Sequence, residues 1–204
     1  MSDDGELDET PRPETPKPET TEQATTKPGG MPGDTPTLPD AYSKYLQGWI
    51  APTAVNSLAN VSVPQASTNP SAFRLLADPD GPGVGSKGEY FLVENRQQSD
   101  LDGGLSGCGL LVYHVKEAYQ DNVRTPYGQL IDIEEADGDE DYFSSPGDPF
   151  HGLAGRTSFN ATSVPNSKAY NGQDAGVRVT TTSGCSASMP ATMAATGTVS
   201  ITPP

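Results

Sequence analysis

Gly109-Leu110-Leu111-Val112-Tyr113-His114-Val115 is the stretch that decides the fold. Its apolar residues are consecutive instead of alternate and a Ser/Gly turn precedes them, so it reads as a strand covered on both faces. Such a strand needs partners. Residues 89–94 (EYFLVE), 129–134 (QLIDIE), 177–182 (VRVTTT) and 198–202 (TVSIT) supply them. Each is short, is bounded by Gly, Pro, Asn or Asp, and alternates as a strand with one face in water does. Turn-rich stretches at 95–107 and 136–170 connect them. Upstream, Asp40 is placed to cap a short amphipathic helix with Tyr42, Tyr45, Leu46 and Trp49 at its apolar positions, and Gly48 is placed to end it. The expected fold is mainly β, an antiparallel β-sandwich or open barrel with long loops and one short N-terminal helix.

Composition divides the 204 residues into two parts. Residues 1–40 hold no aromatic, eight prolines, ten acidic and three basic residues, too little apolar surface to offset chain entropy. They read as a disordered acidic linker or tail, and 41–204 as a β-rich domain. The tail accounts for −7 of the formal net charge of −15, which leaves −8 on the domain. An acidic surface with no basic patch repels phosphate backbones, so nucleic acid is excluded as a partner. No run approaches the ~20 apolar residues needed to cross a bilayer, which excludes a membrane partner of that kind. The first residues, MSDDGELDE, lack the basic and apolar regions of a signal peptide, so a secretion signal is expected upstream.

A zinc hydrolase of the thermolysin or metzincin kind needs two histidines one helical turn apart with a glutamate between them. The chain has His114 and His151, 37 residues apart, and no such motif. His114 in an apolar strand reads as a satisfied core or edge histidine. A dyad with Cys108 fails on reach, since six residues of strand span about 20 Å. Gly104-Leu105-Ser106-Gly107-Cys108 imitates a nucleophile elbow but has cysteine where glycine is required and no helix after it. Glu134 and Glu135 are adjacent in a strand and face opposite sides, so they cannot act together as a glycosidase pair. No catalytic residue is expected.

Asp137, Asp139 and Asp141, followed at the twelfth position by Asp148, have the spacing with which a calcium loop wraps a hard cation in oxygen ligands. Tyr142 at the sixth position excludes an EF-hand, which needs glycine there. Crowded carboxylates repel without a counter-cation, so a calcium loop of another kind is expected. The cysteine count by itself leaves two buried thiols or one long-range disulfide open. Because Cys108 and Cys185 both adjoin Gly/Ser turns in a chain of extracellular type, a disulfide is expected in the exported protein.

Several segments, in order, resemble the region after the catalytic helix of immune inhibitor A-like secreted zinc metallopeptidases. They are 42–50 (YSKYLQGWI), 89–97 (EYFLVENRQ), 106–115 (SGCGLLVYHV), 132–138 (DIEEADG), 147–150 (GDPF), and Pro165-Asn166-Ser167 with Tyr170, covering roughly 41–185. Two positions depart from the family pattern, Lys116 where aspartate is usual and Cys108 where glycine or serine is. The resemblance implies a secreted, non-catalytic C-terminal β-domain that braces the catalytic domain or helps bind protein substrate. Zinc would belong only to the catalytic domain, which is missing from this chain, and the chain alone would not cleave protein. The alternative is a free-standing calcium-dependent extracellular binding or adhesion module.

Overall fold

The computed structural model describes residues 37–75, 88–119, 128–139 and 145–197. Nine strands and one α-helix are described: α1 (Ala41–Leu46), β1 (Thr53–Val55), β2 (Ser57–Pro64), β3 (Phe73–Leu75), β4 (Glu89–Arg96), β5 (Gly109–Lys116), β6 (Ile131–Ile133), β7 (Ser158–Phe159), β8 (Val177–Thr181) and β9 (Ser188–Ala195). They form a five-stranded sheet A, in the order β1-β3-β4-β5-β6, and a four-stranded sheet B, in the order β2-β9-β8-β7. All pairings are antiparallel except β1 with β3. That pair is parallel because the chain leaves sheet A after β1, builds β2 into sheet B, and returns.

β4 and β5 form the centre of sheet A, paired over eight residues from Glu89 opposite Lys116 to Arg96 opposite Gly109. Glu89, Phe91, Val93 and Asn95 of β4 share a face with Val112 and His114 of β5, and this face packs on sheet B, where the Phe91 ring meets Phe159 edge-on at 5.5 Å. The opposite face carries Tyr90, Leu92, Glu94 and Arg96 with Tyr113 and Val115, and it is covered by α1 and the segment before it. Tyr90, Phe91, Leu92, Val93, Val112, Tyr113 and Val115 are essentially inaccessible. Burying each such side chain contributes about 1.5–3 kcal/mol before chain entropy is counted.

Among the described residues, Asn95 and Cys108 provide two of the links between the sheets. Asn95, at the end of β4, donates to the carbonyls of Val63 (2.9 Å) and Ser186 (3.0 Å), both from sheet B or its loops. Cys108, just before β5, is disulfide-bonded to Cys185 in the β8–β9 connection, with Cα atoms 5.5 Å apart. Cys185 is exposed and Cys108 half-buried, so these are not the two buried thiols of the other reading.

The structure corrects several expectations. Strand β4 does not alternate between core and water, because α1 covers the face expected to be wet and all eight residues are buried. In α1 Asp40 does cap, accepting from the Ser43 amide at 2.7 Å, and Gly48 ends the helix at φ 72. Its buried side is nevertheless Ala41, Tyr42 and Lys44, while Leu46 and Trp49 are 39% and 62% exposed. Residues 37–40, assigned above to the tail, belong to the folded body: Leu38 and Pro39 are held by Arg96 and Asp102. Residues 1–36 and the candidate strand 198–202 lie outside the described residues.

Candidate functional site

After β6 the chain turns through Glu135-Ala136-Asp137-Gly138, closed by a hydrogen bond from the Gly138 amide to the Glu135 carbonyl (2.8 Å) with Gly138 at φ 78. It comes back at Ser145-Pro146-Gly147-Asp148, where the Asp148 carbonyl accepts from the Ala136 amide at 2.9 Å. Three carboxylates converge there, from Glu135, Asp137 and Asp148, with ligand oxygens all within 4.8 Å of one another. Glu135 and Asp148 are buried and Asp137 is half-buried. The Ser145 hydroxyl lies 2.8 Å from both Asp137 Oδ2 and Asp148 Oδ1, and its single proton serves one at a time. Gly147 makes the approach possible, since a Cβ there would overlap the Asp137 carboxylate. An all-oxygen donor set of this kind suits calcium or magnesium and not zinc.

The expected metal set Asp137, Asp139, Asp141 and Asp148 is thus brought together only in part. Asp137 and Asp148 meet. Asp139 does not join them: it is exposed, and its amide caps Asp137 Oδ1 at 3.1 Å because the turn at Gly138 carries its side chain away. Asp141 lies outside the described residues. Glu135 takes the third place. Sequence reading set it aside as half of a false glycosidase pair, although the opposite facing of Glu134 and Glu135 was the signal that sent it to this turn.

Glu134 points instead to His114, at 3.1 Å from Nδ1, while Glu89 Oε1 lies 2.9 Å from Nε2. The imidazole is sandwiched between the rings of Phe91 (4.2 Å) and Tyr170 (4.0 Å). Lys116 Nζ stands 3.3 Å from Glu89 Oε2, and the Tyr170 amide donates to Glu89 Oε1 at 2.6 Å. Burial works against a charge on His114. Hydrogen bonds and charge from Glu134 and Glu89 outweigh it and push the pKa up to about 9. Burial likewise opposes ionisation of Glu89, yet His114, the Tyr170 amide and Lys116 hold its pKa below the ordinary value. The histidine is therefore a charged, satisfied core residue, with its ring enclosed on both faces and both nitrogens used. His151 sits elsewhere, half-buried in the turn after Phe150.

A second buried ionic cluster lies under α1. Glu94 binds Lys44 Nζ (2.5 Å), Arg96 (2.9 Å) and the Tyr113 hydroxyl (2.8 Å). Arg96 also grips Asp102 through two nitrogens, at 2.8 and 2.6 Å, and the carbonyls of Leu38 and Pro39. Burial would raise the Glu94 pKa, but Arg96 and Lys44 hold it low. Sequence reading missed this cluster. Its signal was the charged pair Glu94 and Arg96 directly after the apolar run Tyr90 to Val93 of one strand, which is rare without internal partners.

No model of a known protein family matches this chain, and no relative is found among curated proteins. No described helix is long and apolar enough to cross a membrane.

Proposed function

We propose that this chain is the non-catalytic β-domain of a secreted metallopeptidase of the immune inhibitor A type, where it braces the catalytic domain or contributes to substrate binding. The observation that carries this reading is the state of α1. Lys44 and the Glu94–Arg96–Asp102 cluster fix the helix rigidly to sheet A, yet Trp49 beside it is 62% exposed and Leu46 39%. A rigidly mounted, exposed tryptophan is the kind of anchor that a neighbouring domain covers. The disulfide is compatible with an oxidising, extracellular compartment. The test is to isolate the exported native protein and measure its intact mass and zinc content. The reading expects a zinc-binding peptidase segment in the same polypeptide or in a stable complex, while the 204-residue chain alone leaves casein intact. An exported product of this chain alone, free of zinc and of any stable partner, sinks it.

Convergence of Glu135, Asp137 and Asp148 supports calcium stabilisation of the same domain, and it also favours the second reading, a free-standing calcium-dependent binding or adhesion module. At a hundred times the dissociation constant, calcium would add about 2.7 kcal/mol to stability. Equal melting temperatures in calcium and in chelator would remove the metal from both readings.

A further inference from the structure

We propose that Asn60, on the edge strand of sheet B, is an N-glycosylation acceptor in the exported protein; the inference rests on the export part of the reading above. The chain carries two N-x-Ser/Thr triplets with a middle residue other than proline, Asn60-Val61-Ser62 and Asn160-Ala161-Thr162; Asn69-Pro70-Ser71 is barred by its proline. The fold separates the two. Asn160 is half-buried and its carboxamide is engaged at both ends: Nδ2 donates to Ser158 Oγ at 2.9 Å, and Oδ1 accepts from the Thr162 amide and hydroxyl at 2.9 and 2.8 Å. Asn60 is exposed, and its carboxamide makes no hydrogen bond among the described residues; only its backbone amide is engaged, by Thr192 Oγ1 at 3.2 Å.

Asn60 stands where the β2–β9 register shifts between Leu58 and Val61, at φ 51. This bulge turns the residue out of the ladder. A positive φ accounts for Asn, Asp or Gly at this position; Ser62, two residues later, completes the triplet and also hydrogen-bonds Ser188 Oγ across the strand pair. β2 is also the edge of sheet B and, over Ser57–Pro64, carries no charged side chain. Long neutral edges invite pairing with another chain unless something blunts or covers them, and an oligosaccharide on the bulge would do so. In the reaction the Asn60 carboxamide nitrogen attacks the anomeric carbon of a lipid-phosphate-linked oligosaccharide. A C–N bond forms, the bond from that carbon to the phosphate oxygen breaks, and the lipid phosphate and the amide proton leave, with an oligosaccharyltransferase as catalyst.

The two triplets fall on separate tryptic peptides, 45–74 and 157–168, so peptide mass analysis of native protein from the external fraction reads them independently. The expected result is an oligosaccharide increment on 45–74 and none on 157–168. That increment is lost in Ser62→Ala, which leaves Asn60 in place, and in Asn60→Gly, which suits the positive φ. Peptide 45–74 at its unmodified mass in the external protein, or an increment on 157–168 instead, overturns the proposal. Protein found only inside the cell overturns the export reading on which it rests, and the two failures are distinguished by fraction.

Discussion

Sheet A and the turn at 135–148 both bury carboxylates, and they do so on opposite terms. In the sheet every buried acid described meets a base: Glu94 has Lys44 and Arg96, and Glu89 has His114 and Lys116. In the turn Glu135, Asp137 and Asp148 face one another, and Asp137 has no ion-pair partner among the described residues. Charge in the sheet is balanced within the fold, which makes it a matter of stability. The turn instead gathers three carboxylates within 4.8 Å of one another, the donor set that the calcium proposed above would use.

The sharpest way to break this comparison is to remove one acid from the sheet. Glu94→Gln leaves Lys44 buried without its anion and Arg96 with Asp102 alone, and a broken buried pair costs about 3–5 kcal/mol. Urea unfolding should show that loss, and a change under 1 kcal/mol, roughly the ceiling for an exposed pair, would mean that the cluster is hydrated. Opening the cross-link between the sheets should cost nearly as much. With a sequence separation of 77 from Cys108 to Cys185, the chain-entropy account gives ~4 kcal/mol for the Cys108→Ser, Cys185→Ser double variant. Two titratable thiols in the unreduced, unfolded native protein would show that there is no bond to open.

His114 sharpens the comparison through pH. Its folded pKa, about 9, lies above the ordinary 6.5, so the stability it contributes is fully present below about 6.5 and is lost as pH rises through about 9. The amount is on the order of 3 kcal/mol, since each tenfold gain in proton affinity on folding is worth about 1.36 kcal/mol. Glu89 works in the other direction, since its lowered pKa contributes stability that is lost as pH falls through the acid range. The native chain should lose stability between pH 6.5 and 9, and unfolding of His114→Gln should show no such decline. Parallel curves would place the charge elsewhere.

The smallest effect separates the two regions most cleanly. Asp137→Asn relieves repulsion among three carboxylates and keeps an Oδ1 acceptor for the Asp139 amide. In chelator it should raise stability by on the order of 1 kcal/mol, and in calcium it should lower it. The same sign in both buffers would show that no cation works there.

What the sequence revealed follows from how each pattern arises. Strands β4 and β5 were legible because β-branched and aromatic runs bounded by turns have few other uses, and α1 because Asp40 and Gly48 mark its ends. β9 was not, since Pro190 interrupts it and its inward positions, Met189, Ala191 and Met193, have weak strand preference. The bulge at Leu58/Val61 hides the alternation of β2, and β1 and β3 are three residues each. For the site, spacing found Asp137 and Asp148 but chose Asp139 over Glu135. A linear pattern carries no record of the turn at Gly138 that sends one away and brings the other in.

The bond between Cys108 and Cys185 also sets how this domain would bear mechanical load. Tension applied at its two ends would pass across the cross-link and bypass the 77-residue separation it spans. At ~3.3–3.6 Å per residue, that withholds about 250–280 Å of contour length from any stretching force. Strands β5 to β8 and the acidic turn all lie within the shielded segment, so a pull that peeled away α1 and β1 to β4 would leave them joined as a short, inextensible tether.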